Sequence, residues 1–256
     1  MARRIVPRRL APEEEATLVE HLGELRHRLF ICILAIIPAF AVAYVFHDRL
    51  IGWLKDLLPA GTPLVTLGVT EPFMTSLKVS FYASLGIVLP ILLWQVWAFL
   101  APAVGESVQR VIGTFVFLAT GLFLGGVAFC YFVILPKALK FLVNYDNELY
   151  EEQIRASYYL SFVSVTLLAT GIAFLMPIFI LGLVRLGVLT SSKLRRNRRY
   201  GMVGMLAFAV LLPTVDPVSL ALEVAPLLIL FELSIWLSVL MERRWERSLL
   251  RSYELS

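Results

Sequence analysis

The sequence predicts an all-α polytopic membrane protein with six transmembrane helices, both termini cytoplasmic, preceded by an amphipathic N-terminal helix. Three observations carry this. Apolar residues make up 59% of the 256-residue chain and charged residues only 16%. The apolar residues gather into six runs, and the basic residues gather beside alternate runs. A soluble domain has about 45 to 50% apolar and about 25% charged residues, so one aqueous core could not hide this much apolar surface. Long apolar runs likewise exclude a disordered or fibrous chain. The formal charge of +4 reads as a topology signal, and no nucleic-acid partner is expected.

The runs lie at about 29–46, 77–101, 111–135, 158–187, 200–212 and 218–241. A helix rises 1.5 Å per residue against a hydrocarbon core of about 30 Å, so crossing takes about 20 residues. The first run is marginal. The fifth reaches only roughly 20 Å before Pro213 and crosses by borrowing flanking residues or thinning the bilayer. Arg3, Arg4, Arg8, Arg9, Arg26 and Arg28 precede the first run, Lys193, Arg195, Arg196, Arg198 and Arg199 lie between the fourth and fifth, and Arg243, Arg244, Arg247 and Arg251 follow the last. The alternate loops are richer in acid, with Asp146, Glu148, Glu151 and Glu152. The positive-inside bias therefore puts both termini in the cytoplasm and the long loops, 47–76 and 136–157, outside.

Residues 1–28 read as a cytoplasmic segment carrying the amphipathic helix, 29–241 as the transmembrane domain and 242–256 as a cytoplasmic tail. Glu13, Glu14 and Glu15 stand where the apolar region of a signal peptide would lie, so no cleaved signal is expected. Cys32 and Cys130, near opposite ends of their spans, read as small hydrophobes roughly 20 Å or more apart in depth. Pro38, Pro90, Pro177 and Pro226 predict bent helices. Gly121, Gly125 and Gly126 predict a close backbone approach, the four-residue spacing of the first two being the cue. Asp216 followed by Pro217 reads as an N-cap and first helical residue opening the sixth span.

Four segments are candidates for function. In 14–28, Leu18, Leu22, Leu25 and Leu29 share one helical side while Glu20, Glu24 and Arg28 share another. Glu24 stands near the membrane edge, where a carboxylate binds a guanidinium more strongly than in bulk water, and Arg28 one turn on partly neutralises it. Read by spacing alone, the segment is an interfacial anchor more readily than a recognition surface. At 94–102, Trp94, Trp97 and Phe99 read as an aromatic belt before Pro102. Glu223 and Glu232 fall inside the sixth span, where an ionisable group costs at least about 2.5 to 3.5 kcal/mol and so suggests function. They lie on opposite faces, with Glu223 expected near the outer surface and Glu232 deeper. No metal-binding, nucleophile or phosphate-loop pattern occurs, and His21, His27 and His47 all lie at or outside span ends, so neither an enzyme nor a cofactor is expected.

LVEHLGELRHRL (18–29), EPFMTSLK (71–78), LPILLWQVWAFLAPAV (89–104), FVILPKALKFL (132–142), Asp216 with Pro217, and Phe231 with Glu232 together resemble TatC, the multispanning core subunit of the twin-arginine protein translocase. The resemblance covers nearly the whole chain in order. It implies a signal-peptide receptor and core scaffold in the prokaryotic cytoplasmic membrane, exporting folded cargo with proton-motive force. The implied partners are twin-arginine signal peptides, single-span TatA-type and TatB-type subunits and the lipid bilayer, in a multimeric complex. Glu24 matches the family glutamate that meets the paired arginines, and His21, Arg26, Arg28 and Phe99 match neighbouring motif positions.

Three positions depart from the family pattern. Val108 stands where a second loop glutamate is usual, leaving Glu106 as a substitute from two residues away. Leu175 stands where a buried glutamate is common in the fourth span. Pro213 to Asp216 replaces the usual TPPD turn, and Glu223 is an added acid. The alternative from another class is a small-solute or ion secondary transporter, drawn from Glu223, Glu232 and the proline-broken helices. The paired internal halves that such transporters often show are missing from the sequence.

Overall fold

The computed structural model describes residues 18–59, 62–100, 112–145, 153–185, 189–212 and 216–254. It is a helical bundle: α1 (Leu18–Val45), α2 (His47–Lys55), α3 (Glu71–Leu100), α4 (Ile112–Phe129) passing through a π-helical turn (Cys130–Ile134) into α5 (Leu135–Val143), α6 (Ala156–Ala173), α7 (Met176–Arg185), α8 (Ser191–Arg196), α9 (Arg198–Val210) and α10 (Pro217–Glu254). Five stretches are long and apolar enough to cross a membrane: His21–Val45, Glu71–Phe99, Gly113–Val143, Ala156–Arg185 and Pro217–Leu240. The apolar run at 200–212 forms α9, a helix of 13 residues. Helix α1 continues without a break from the amphipathic segment into the first apolar run, and its Leu22, Leu25 and Leu29 are exposed.

The loops expected at 47–76 and 136–157 hold more structure than composition suggested. The first contains α2, a two-residue strand β1 (Leu64–Val65) and the opening of α3 at Glu71; the second contains most of α5 and a strand β2 (Ile154–Arg155). The strands pair in parallel, Leu64 with Ile154 and Val65 with Arg155, adding a small ladder to a fold expected to be all-α. Helix α2 is amphipathic and short, so an apolarity scan passes over it, yet its Leu54 joins the core around Cys130, Ile134, Leu135, Tyr159 and Val163. Its terminal carbonyls lack helical partners. The Tyr131 hydroxyl donates to the Trp53 carbonyl at 2.9 Å and the Tyr159 hydroxyl to that of Leu54 at 2.6 Å.

The breaks have identifiable causes. Pro136 has no N–H and its ring crowds the carbonyl four residues back, and the chain answers with the π turn just before it, in which the Leu135 amide donates to the Cys130 carbonyl. Pro177 lies one residue inside α7, after a turn at Phe174 and Leu175 that divides the fourth stretch. Pro38, Pro90 and Pro226 stay within α1, α3 and α10.

Of the three glycines expected to pack closely, only Gly126 does so. Nothing lies within 4 Å of a Cβ built on Gly121 or Gly125. Gly126 instead meets Phe174 and Gly171, with 3.1 Å to the Gly171 Cα, joining α4 to α6 and the turn after it. At Gly182 a Cβ would lie 1.7 Å from the Trp97 ring, which fills the space between α3 and α7. Gly182→Ala should therefore lower the unfolding midpoint of the detergent-solubilised protein, an overpacking cost of about 1 to 3 kcal/mol. Gly125→Ala should leave the midpoint unchanged or raise it in the same melt.

Candidate functional site

The first cluster forms where α1 crosses the C-terminal end of α3. A spacing of four on α1 puts Arg28 directly over Glu24, and its Nε donates to Glu24 Oε1 at 3.0 Å. A second bond to the same oxygen comes from Nη2. The guanidinium also reaches α3: Nη1 donates to Gln95 Oε1 at 3.1 Å and Nη2 to the Ala98 carbonyl at 3.0 Å. That carbonyl is available for a reason written in the sequence. Its helical partner would be the amide of residue 102, which is proline and has none. The end of α3 also carries partial negative charge, which favours a cation.

His21, one turn before Glu24, stacks on Phe99 with ring centroids 4.3 Å apart and 19° between planes. The cluster is a rim, with side-chain exposures of 33% for Glu24 and 20% for Arg28. The Glu24 carboxylate is thus paired but reachable. Arg26 is exposed on the same helix. Glu106 and Val108 lie outside the described residues. The structure therefore brings together His21, Glu24, Arg28 and Phe99, and adds Gln95 and Ala98, which motif reading did not single out. The traceable signal was a lone amide in an apolar run, three residues before a carbonyl that Pro102 leaves free.

The aromatic run divides in two. Trp94 faces outward, whereas Trp97 is buried with Phe115 and Phe179 and belongs to the core rather than to a belt.

Asp216, Glu223 and Glu232 do not form one site. The Asp216 carboxylate accepts from the Ser219 amide at 2.8 Å, the N-cap geometry expected at the start of α10. Burial within the protein does not follow the order of the two glutamates along the span. Glu223 is 1% exposed, with the Thr170 hydroxyl 3.5 Å from Oε1. Glu232 remains one-quarter open and pairs with Arg198 at the head of α9. Depth along a helix does not set burial here, because the Glu223 side of α10 turns into the bundle and the Glu232 side turns towards α9. Leu175, where the resemblance suggested a missing acid, is packed with Leu89, Leu93, Trp97 and Ile178 in an apolar cluster.

One polar junction escaped the sequence reading. Glu71 Oε1 accepts from Arg155 Nε at 2.9 Å and the Ser157 amide at 3.3 Å, while Oε2 accepts from the Leu67 amide at 2.9 Å. This contact clamps the two loops beside the β1–β2 pair, and the carboxylate holds the Arg155 guanidinium above its ordinary, already high pKa. Residues 84 positions apart in sequence give no local pattern to find. Among the described residues no group of three His, Cys, Asp or Glu side chains is placed to hold a metal ion.

Fold and cluster together define a polytopic helical membrane protein in which a partly exposed carboxylate, paired with an arginine of its own helix, stands at one end of the bundle. Comparison with known proteins narrows this. The family profile of TatC, described as Sec-independent protein translocase protein, matches residues 20–226. The TatC protein of Escherichia coli K12 is 34% identical over 233 residues, covering 90% of each chain. The chloroplastic TATC protein of Arabidopsis thaliana is 35% identical over 230 residues, covering 89% of this chain and 68% of its own. A crystal structure described as the twin arginine translocase receptor TatC superposes with a TM-score of 0.76 at 34% identity, covering 86% of this chain and 99% of the other. The chain belongs to the TatC family. It is a multi-pass membrane protein and the TatC receptor component of the twin-arginine translocase rather than an enzyme or a solute transporter.

Asp216→Ala should cost about 1 kcal/mol through the lost cap, read as a lower melting midpoint in detergent. Asp216→Asn keeps a capping oxygen and should recover most of it.

Proposed function

We propose that this chain recognises twin-arginine signal peptides at its cytoplasmic rim and that Glu24 is the carboxylate that takes one guanidinium of the arginine pair. The single observation behind this reading is that a guanidinium already sits there, held by Glu24, Gln95 and Ala98. The acceptors have the spacing and orientation that an arginine head requires, and a carboxylate beside low-dielectric lipid binds it more tightly than one in water. The stacked His21 and Phe99 rings join the same two helices beside this cluster. Arg26, exposed on the same helix, is a neighbouring motif position, and Glu106, outside the described residues, is a weaker second carboxylate. The apolar stretch of the signal peptide then lies along the bundle.

In this reading α9 is a sixth, short crossing, so both ends of the chain are cytoplasmic, in keeping with the basic residues at 193–199 and 243–251. Residues 1–28 and 242–256 are then the cytoplasmic parts on either side of a transmembrane domain in a prokaryotic cytoplasmic membrane. Single-span TatA-type and TatB-type subunits gather on the multimeric receptor, where a short α9 thins the bilayer. Export of folded cargo draws on proton-motive force, with Asp216, Glu223 and Glu232 as the polar groups of the last span and no cofactor involved. Glu24→Arg should abolish photocrosslinking to a twin-arginine signal peptide while leaving the protein in the membrane. Unchanged crosslinking refutes the assignment.

A further inference from the structure

We infer that Arg28 is a built-in competitor for the arginine site: its own guanidinium fills the cradle in the empty receptor, and a ligand guanidinium enters by exchange. The inference rests on the assignment of Glu24 made above. It starts from a count of donors. A guanidinium has five N–H groups in a planar fork, and Arg28 makes four contacts with three acceptors: two to Glu24, one to Gln95 and one to the Ala98 carbonyl. Such a set is what a guanidinium-specific site requires. An ammonium, with its point-like charge, does not bridge acceptors spread over two helices in this way.

The backbone positions of the acceptors are set by the two helices that carry them. Gln95 and Ala98 sit on α3, whose end is set by its own sequence, and Glu24 sits on the facing side of α1. Withdrawing Arg28 leaves an amide oxygen, a helix-terminal carbonyl and a carboxylate with no other side-chain donor among the described residues, and a second guanidinium restores every one of the three contacts. The exposures of 33% and 20% place the exchange at an open rim, so no helix need separate. The internal arginine also protects the empty site, since Glu24 beside lipid and without a cation would be costly. The consequence is discrimination. A lone positive charge gains little by displacing Arg28, whereas two adjacent arginines offer one guanidinium for the cradle and a second for the remaining negative potential.

The competing role for Arg28 is to orient Glu24 for the ligand, and the two roles predict opposite signs. A competitor lowers apparent affinity in proportion to the fraction of time it occupies the site. The test uses the full-length chain in nanodiscs and a synthetic peptide with two adjacent arginines ahead of an apolar stretch, with Kd measured by fluorescence anisotropy. Arg28→Gln should tighten binding roughly threefold to tenfold, the scale of a partly exposed ion pair plus neutral hydrogen bonds. Arg28→Lys should tighten it less, and it preserves the charge if Arg28→Gln fails to fold. A peptide with paired lysines should gain less than the arginine peptide from either change. Unchanged or weaker binding in the folded Arg28 variants, with binding still lost in Glu24→Gln, overturns the competitor role and leaves the Glu24 assignment standing. Wild-type binding by Glu24→Gln, alone or combined with Arg28→Gln, overturns that assignment, and the competitor role with it.

Discussion

Hydrocarbon offers no hydrogen bonds, so every backbone polar group that a helix leaves open at membrane depth must be satisfied by the protein itself. Much of this structure follows from that constraint. Proline opens the backbone at several points, and a specific answer is visible at three of them. The π turn at Cys130–Ile134 widens the ladder ahead of Pro136. The turn at Phe174 and Leu175 keeps its amides bonded to the carbonyls of Thr170 and Ile172 before Pro177 starts the next helix. At the end of α3, Pro102 leaves the Ala98 carbonyl open, and Arg28 from another helix closes it. The last case links the constraint to the proposed arginine site, since the group that repairs the backbone is a cation beside a carboxylate.

Polar side chains obey the same accounting. Ser80 and Ser84 are wholly buried on α3 and bond back to carbonyls of their own helix, so they cost little and need no partner helix. Glu71 could not be satisfied locally and takes Arg155 together with two backbone amides. That arrangement stitches two loops that composition alone would have left unstructured. Glu223 faces Thr170 across the α6 and α10 contact, while the position of Leu175 is filled by an apolar cluster. Among the described residues, the most deeply buried acid thus lies on the last long helix, and the Leu175 position of the fourth stretch is apolar.

Much of the cradle was legible early because it is local. Glu24 and Arg28 are one turn apart, and the helix that carries them is amphipathic by simple count. The contribution of α3 was half legible: Pro102 dictates that a carbonyl near position 98 lacks a partner, yet nothing in the spacing says which helix supplies the donor. Glu232 and Glu223 were placed by position along the span, which says nothing of which one the bundle covers, and the bundle covers Glu223 more fully. Gly121 and Gly125 carried the familiar spacing, but Gly126 and Gly182 face neighbours.

Apolar run length, basic flanks, the Asp216 cap and the proline breaks were decided within the chain, because each depends on groups a few residues apart and on the thickness of a bilayer. Tertiary packing alone decided which face of each helix meets another, and with it the choice of packing glycines, the buried acid, the Glu71 to Arg155 clamp and the donor for Ala98. Helical periodicity says which residues share a side. It carries no information on what that side will touch, since hydrocarbon and a neighbouring helix are equally apolar.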